Sequence, residues 1–192
     1  MVVSVFAGYS LSRFSVKGGR SLGLFILTAK MLPATLLVIP LFGIFRSVGL
    51  IGSLWSLVLA HATLIIPFTT WMLKGYFDTI PRELEESALM DGASTGRIFF
   101  SIVLPLAKPA VAIVALFSFM QSWNEFILAA TFMDKEDMYT APVGLRFFVG
   151  GFSQQWGYFA AGSIIVSIPI VFLFLYLQKY LVSGLTAGSV KG

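Results

Sequence analysis

Four stretches of this chain stay apolar for the length of a lipid bilayer, and they dictate what it can fold into. They cover about residues 22–45, 50–72, 109–132 and 159–177, and a helix needs about 20 such residues to cross the hydrocarbon core. The second and fourth hold no Asp, Glu, Lys or Arg, the first holds only Lys30 and the third only Glu125. Inside a bilayer no water pairs with the backbone, so such stretches become helices that satisfy their own amides. A composition that is 57% hydrophobic and only 11% charged lies outside soluble globular usage and supports the same reading. The expected fold is all-α, a polytopic transmembrane helical bundle forming a single domain over residues 1–192. A further apolar run at residues 2–11 cannot cross alone, and it lacks the basic flank and cleavage site of a signal peptide. It reads as the inner end of a helix that begins upstream, so the chain is expected to be incomplete at its N-terminus.

Basic residues set the orientation. Placing the loops at 12–21 and 73–108 and the C-terminus on one side gathers Arg13, Lys17, Arg20, Lys74, Arg82, Arg97, Lys108, Lys179 and Lys191 there. The other side keeps Arg46, Lys135 and Arg146. The richer side is cytoplasmic by the positive-inside rule. The net charge of +4 is thereby accounted for by topology, and its scattered residues form no run suited to nucleic acid. With no cysteine and one histidine, neither disulfides nor a multi-histidine metal centre is available.

The loop from about 75 to 108 has internal structure. Thr79-Ile80-Pro81 reads as a helix start, with Glu83, Glu85 and Glu86 near the helix's positive end. Gly92 interrupts the run, and a second short helix is expected from about Thr95 to Val103. Leu104-Pro105 should stop it and redirect the chain. Within this loop stands Glu86-Ser87-Ala88, three residues, Gly92, nine residues, Ile102, one residue, Leu104-Pro105.

That spacing resembles the cytoplasmic loop signature of permease subunits of binding-protein-dependent ATP-binding-cassette (ABC) importers, with Ser87 replacing one alanine by another small residue. The resemblance implies the type I importer permease fold and a coupling helix that docks on a cytoplasmic ATPase. Carried over, Glu86 is the acidic contact, Ser87 and Ala88 the small surface of approach, and Asp91, Gly92, Ala93, Ile102, Leu104 and Pro105 complete the knob. Trp123-Asn124-Glu125-Phe126, Pro142-Val143-Gly144-Leu145 and the C-terminal Gly184 to Gly192 are similar to the carbohydrate branch, in its maltose-type second permease subunit. The resemblance implies that the tail, through Gly184, Thr186, Gly188 and Lys191, contacts the ATPase subunits. It further implies a second permease, cytoplasmic ATP-binding subunits, an extracytoplasmic sugar-binding protein that meets the outer loop at 133–158, and a bacterial or archaeal plasma membrane. Polyamine, phosphate or amino-acid cargo, or a non-transporting scaffold role, stand as the rival readings.

A translocation path needs polar groups that lipid rejects. Lys30, His61, Trp123, Asn124 and Glu125 are the candidates. Each has a bland counterpart: Lys30 snorkelling to the headgroups, His61 bonding one helix carbonyl, Trp123 and Glu125 sitting at the water boundary. Prolines 33, 40, 67 and 169 read as packing features. No Walker A string, nucleophile elbow or carboxylate-rich metal set occurs. No catalytic residue, cofactor or metal is therefore expected in this chain, with ATP consumed by a partner subunit.

Overall fold

The computed structural model describes residues 1–15, 18, 19, 21, 23, 28, 33–150 and 154–187. Among them there is no strand, as a membrane helical bundle requires. The helices that matter for function are α1 (Val2–Arg13), α2 (Ala34–Ser47), α3 (Leu54–Thr79), α4 (Glu83–Met90), α5 (Thr95–Ile98), α6 (Lys108–Trp123), α7 (Ile127–Phe132) and α8 (Trp156–Ala187).

Two of these are long and apolar enough to cross a membrane: α3, with 26 residues, and the Trp156–Tyr180 part of α8. A third crossing is made if the bent pair Thr95–Leu106 and Lys108–Trp123 acts as one span. Both long helices outrun the apolar stretches that predict them. At the C-terminal end α3 continues from Met72 to Thr79, where Leu73 and Phe77, both fully buried in the first core, hold the helix by packing and not by propensity. The first expected span lies largely outside the described residues, and its described part is α2, which starts after Pro33 in an extended conformation. The third expected span is not one helix. It breaks at Asn124–Phe126 into α6 and α7, for a reason that belongs to the site below.

The chain divides into two compact units. The first comprises Met1–Leu27, Ile66–Phe117 and Tyr176–Gly192. Its core joins Val5 and Tyr9 of α1 to Leu73 and Phe77 of α3, and to Ile98, Phe99 and Val103 after the signature turn. α1 and α3 approach closely at Gly8: a Cβ there would lie 3.0 Å from Cβ of Leu73 and 3.1 Å from the backbone nitrogen of Lys74. One turn from that contact the hydroxyls of Ser4 and Thr69, both buried, are 2.7 Å apart, a polar pairing of the kind that fastens helices in lipid.

The second unit comprises Thr28–Ile65 and Ser118–Leu175. Its core gathers Phe45 of α2, Leu57 and Ala60 of α3, and Leu128, Ala129 and Phe132 of α7. Phe45 and Phe132 meet edge to face at 5.5 Å, the arrangement favoured by the ring quadrupoles.

Candidate functional site

The signature loop begins differently from expectation. Thr79 does not cap the following helix; it is the last residue of α3, and its hydroxyl donates back to the carbonyl of Tyr76 at 2.7 Å. Pro81 falls in the short link, and α4 starts at Glu83 without a side-chain cap. Glu83, Glu85 and Glu86 do occupy its first turn, where the unpaired amides favour negative charge.

The end of α4 explains the spacing of the signature. Asp91 is the C-cap, Gly92 takes φ +81°, its N–H bonds the carbonyl of Leu89, and the N–H of Ala93 bonds the carbonyl of Ala88, both at 3.0 Å. These paired bonds form a Schellman turn, which needs a left-handed residue four positions after Ala88. Ala88 and Ala93 both pack on the first core, so small side chains at the two ends of the turn let the knob lie close to it. Ser94 then caps α5 by accepting from the N–H of Arg97.

Beyond α5 the backbone widens into a π-helical turn over Phe99–Val103. A widened turn leaves room for Pro105, which sits in the first turn of the helical segment Leu104–Leu106. The expected stop at Leu104-Pro105 is therefore displaced. The chain bends one residue beyond that segment, at Ala107, and the two arms are inclined by 75°.

Glu86, Ser87, Asp91, Gly92 and Pro105 are exposed, while Ala88, Ala93, Ile102 and Leu104 are half-buried. The tip between them is apolar: Leu89 is 54% and Met90 89% exposed. An α-helix of eight residues with such a tip lacks the buried stripe that would hold it down by itself. What holds it is a residue outside the signature. Glu85 is the buried residue of α4; it accepts from the Tyr9 hydroxyl at 2.8 Å and from Nε of Arg13. Arg13 also donates to the carbonyl of Ile80 at 2.9 Å, and Arg82 donates to the carbonyl of Ser12 at 3.0 Å. Sequence alone places Glu85 at the helix's positive end and names no partner for it. A run of glutamates in a first turn hides the one that turns inward.

The membrane-depth candidates fall into two groups. His61, Trp123, Asn124 and Glu125 all belong to the second unit, whereas Lys30 lies outside the described residues. Both oxygens of Glu125 are spent on backbone, accepting from the N–H of Leu128 at 2.8 Å and of Ala129 at 3.1 Å. The carboxylate so caps α7, and this is why the third apolar stretch breaks. Nε2 of His61 is 3.6 Å from Oε2 of Glu125, and it is buried with no hydrogen-bond partner among the described residues. Trp123 donates its indole N–H to the carbonyl of Val166 at 2.9 Å and stacks on Phe119. Of the three residues Trp123, Asn124 and Glu125, only Asn124 is exposed. In the tail, Gly184 and Thr186 lie within α8, which runs to Ala187, while Gly188 and Lys191 fall outside the described residues. No group of three or more His, Cys, Asp or Glu that could hold a metal occurs among the described residues.

This all-helical fold with its two-helix knob defines a class. Residues 1–187 match the family described as "Binding-protein-dependent transport system inner membrane component", and the chain belongs to that family, as a multi-pass inner-membrane component. Among its curated relatives, the galactooligosaccharides transport system permease protein GanQ of Bacillus subtilis is 44% identical over 97% of this chain and 66% of its own length. The maltodextrin transport system permease protein MdxG of Bacillus subtilis is 40% identical over 100% of this chain and 69% of its own. The chain thus spans about two thirds of the length of the curated relatives it matches. A solved chain from a bacterial ABC transporter involved in the import of the acidic polysaccharide alginate superposes with TM-score 0.74 and 27% identity, covering 94% of this chain and 70% of that one.

Proposed function

We propose that this chain is one permease half of an ATP-driven importer for carbohydrate. The observation that carries the reading is the signature knob: a Schellman turn at Gly92 that presents Glu86, Ser87 and an apolar tip at Leu89 and Met90 beside a helix-packed membrane segment. Such an element offers a cytoplasmic ATPase subunit a small, rigid dock, and docking moves the helices joined to it as bodies. A second permease completes the path, and an extracytoplasmic binding protein delivers the solute. ATP hydrolysis belongs to the partner, and this chain takes no cofactor of its own. Sugar is favoured as cargo because the relatives named above belong to maltodextrin and galactooligosaccharide transport systems. The similarity of the Trp123 to Phe126 stretch and of the tail to the carbohydrate branch points the same way.

The test is uptake into proteoliposomes that hold the assembled complex. ATP-dependent accumulation of an oligosaccharide from a panel of maltodextrins, galactooligosaccharides and chitobiose derivatives is the expected result. Accumulation of a polyamine, phosphate or amino acid instead would redirect the cargo, and no ATP-dependent uptake of any solute would remove the transport reading.

A further inference from the structure

We infer that Glu85 is the positioning residue that clamps the signature knob to the end of α1, so that knob and α1 move as one body when the ATPase partner closes. The inference rests on the functional reading above and concerns a residue that the signature does not contain. α4 buries one side chain, and that side chain is a carboxylate. Apolar contact is non-directional and lets neighbouring surfaces slide, whereas charge-assisted hydrogen bonds fix both distance and angle. The carboxylate of Glu85 is held on both oxygens, by Tyr9 at 2.8 Å and by Arg13. The ties also run the other way. Arg82, at the start of α4, donates to the carbonyl of Ser12, and Ser12 donates to Asp78 at 2.6 Å, which Lys74 holds from the opposite side at 2.6 Å. Polar side chains therefore tie the end of α1 both to the knob and to the end of α3, at the point where the membrane segment meets the docking element. A load passed to α4 reaches α1 through bonds whose geometry resists shear.

The experiment uses the complete transporter in proteoliposomes and reads uptake per ATP hydrolysed, which a loss of folding alone does not change in the molecules that remain assembled. Glu85→Gln keeps the shape and removes the charge. It is expected to co-purify with its ATPase at the unaltered level while uptake per ATP falls about ten-fold, within the range of ordinary coupling between sites. Tyr9→Phe, which leaves the ion pair, is expected to fall less. An assembled Glu85→Gln complex with an unaltered ratio overturns the inference. A second measurement holds even where Glu85→Gln fails to assemble. Ser12→Cys with Arg82→Cys, in a chain that has no other cysteine, places one thiol on α1 and one at the start of α4, where Arg82 reaches the carbonyl of Ser12. Joining them with a short reagent that reacts with two thiols should leave uptake at or above the level of the unlinked form, since α1 and the knob never part. Uptake lost on linking, or no better than background, shows that they must separate, and overturns it. Absence of ATP-driven uptake by the unaltered complex would instead overturn the functional reading as well.

Discussion

The N–H of Ala93 reaches back across Gly92 to the carbonyl of Ala88 at 3.0 Å, and the left-handed φ of +81° at Gly92 is what allows it. Among the described residues nothing beyond its chain neighbours lies within 4 Å of where a Cβ on Gly92 would stand, so the constraint is backbone strain and not space. A β-branched residue is the worst occupant of this conformation, whose cost for an ordinary L-residue is about 1–2 kcal/mol. Gly92→Val should distort the turn and reduce co-purification of the ATPase, with helical content by circular dichroism unchanged. Gly92→Asn, which tolerates the left-handed region, should retain most of it. Equal retention by both variants would remove the turn from the docking surface.

Gly8 supplies the second prediction. Its missing Cβ is matched by backbone atoms of α3, Lys74 N at 3.1 Å and Thr70 O at 3.2 Å, and backbone cannot swing aside as a flexible side chain can. Gly8→Val should force α1 off α3 and destabilise the first unit by roughly 1–3 kcal/mol, the usual cost of overpacking. The melting temperature of the detergent-solubilised protein is the measurement. An unchanged value for Gly8→Val would mean that α1 does not seat on α3 there.

How much of this can be read in advance depends on how local the cause is. The spans α3 and α8 and the knob are legible, because apolar runs and a turn encoded within Ala88 to Ala93 act over a few residues. Thr79 reads wrongly as the start of the following helix because a hydroxyl before Pro81 looks like a cap whichever helix it closes; the bond it makes to Tyr76 is three residues back. Glu85 is invisible for the opposite reason, since Arg13 is 72 residues away and nothing in either neighbourhood names the other. Glu125 stands out, but as a polar group in an apolar stretch. That its oxygens turn to Leu128 and Ala129 and split the helix is a property of side-chain geometry that hydropathy does not carry.

The capping role of Glu125 has a graded signature. A glutamine keeps one acceptor oxygen and so one of the two amide bonds, whereas alanine keeps neither. Hydrogen bonds to a charged group are worth about 1.5–3 kcal/mol each in net stability. Thermal stability should therefore drop from the unaltered chain to Glu125→Gln, and drop again from Glu125→Gln to Glu125→Ala. His61→Ala, removing a group 3.6 Å from the carboxylate, should cost less than Glu125→Ala. Stability indifferent to Glu125→Ala would return the carboxylate to the translocation path and leave the break at Asn124–Phe126 without a cause.

We propose that Asn124 is the residue of the break that meets the solute. Trp123 is engaged with the carbonyl of Val166 and Glu125 with two amides, while Asn124 stands exposed between them. An amide carries both donors and an acceptor, the complement of a sugar hydroxyl, and an exposed polar group at membrane depth faces water or a partner in preference to lipid. Asn124→Cys, introduced into a chain with no cysteine of its own, should react with a membrane-impermeant thiol reagent in the nucleotide-free or the ATP-bound complex, and bound oligosaccharide should slow that reaction. Protection in both states, or labelling indifferent to sugar, would place Asn124 in the packing of the second unit and leave the path to be built elsewhere.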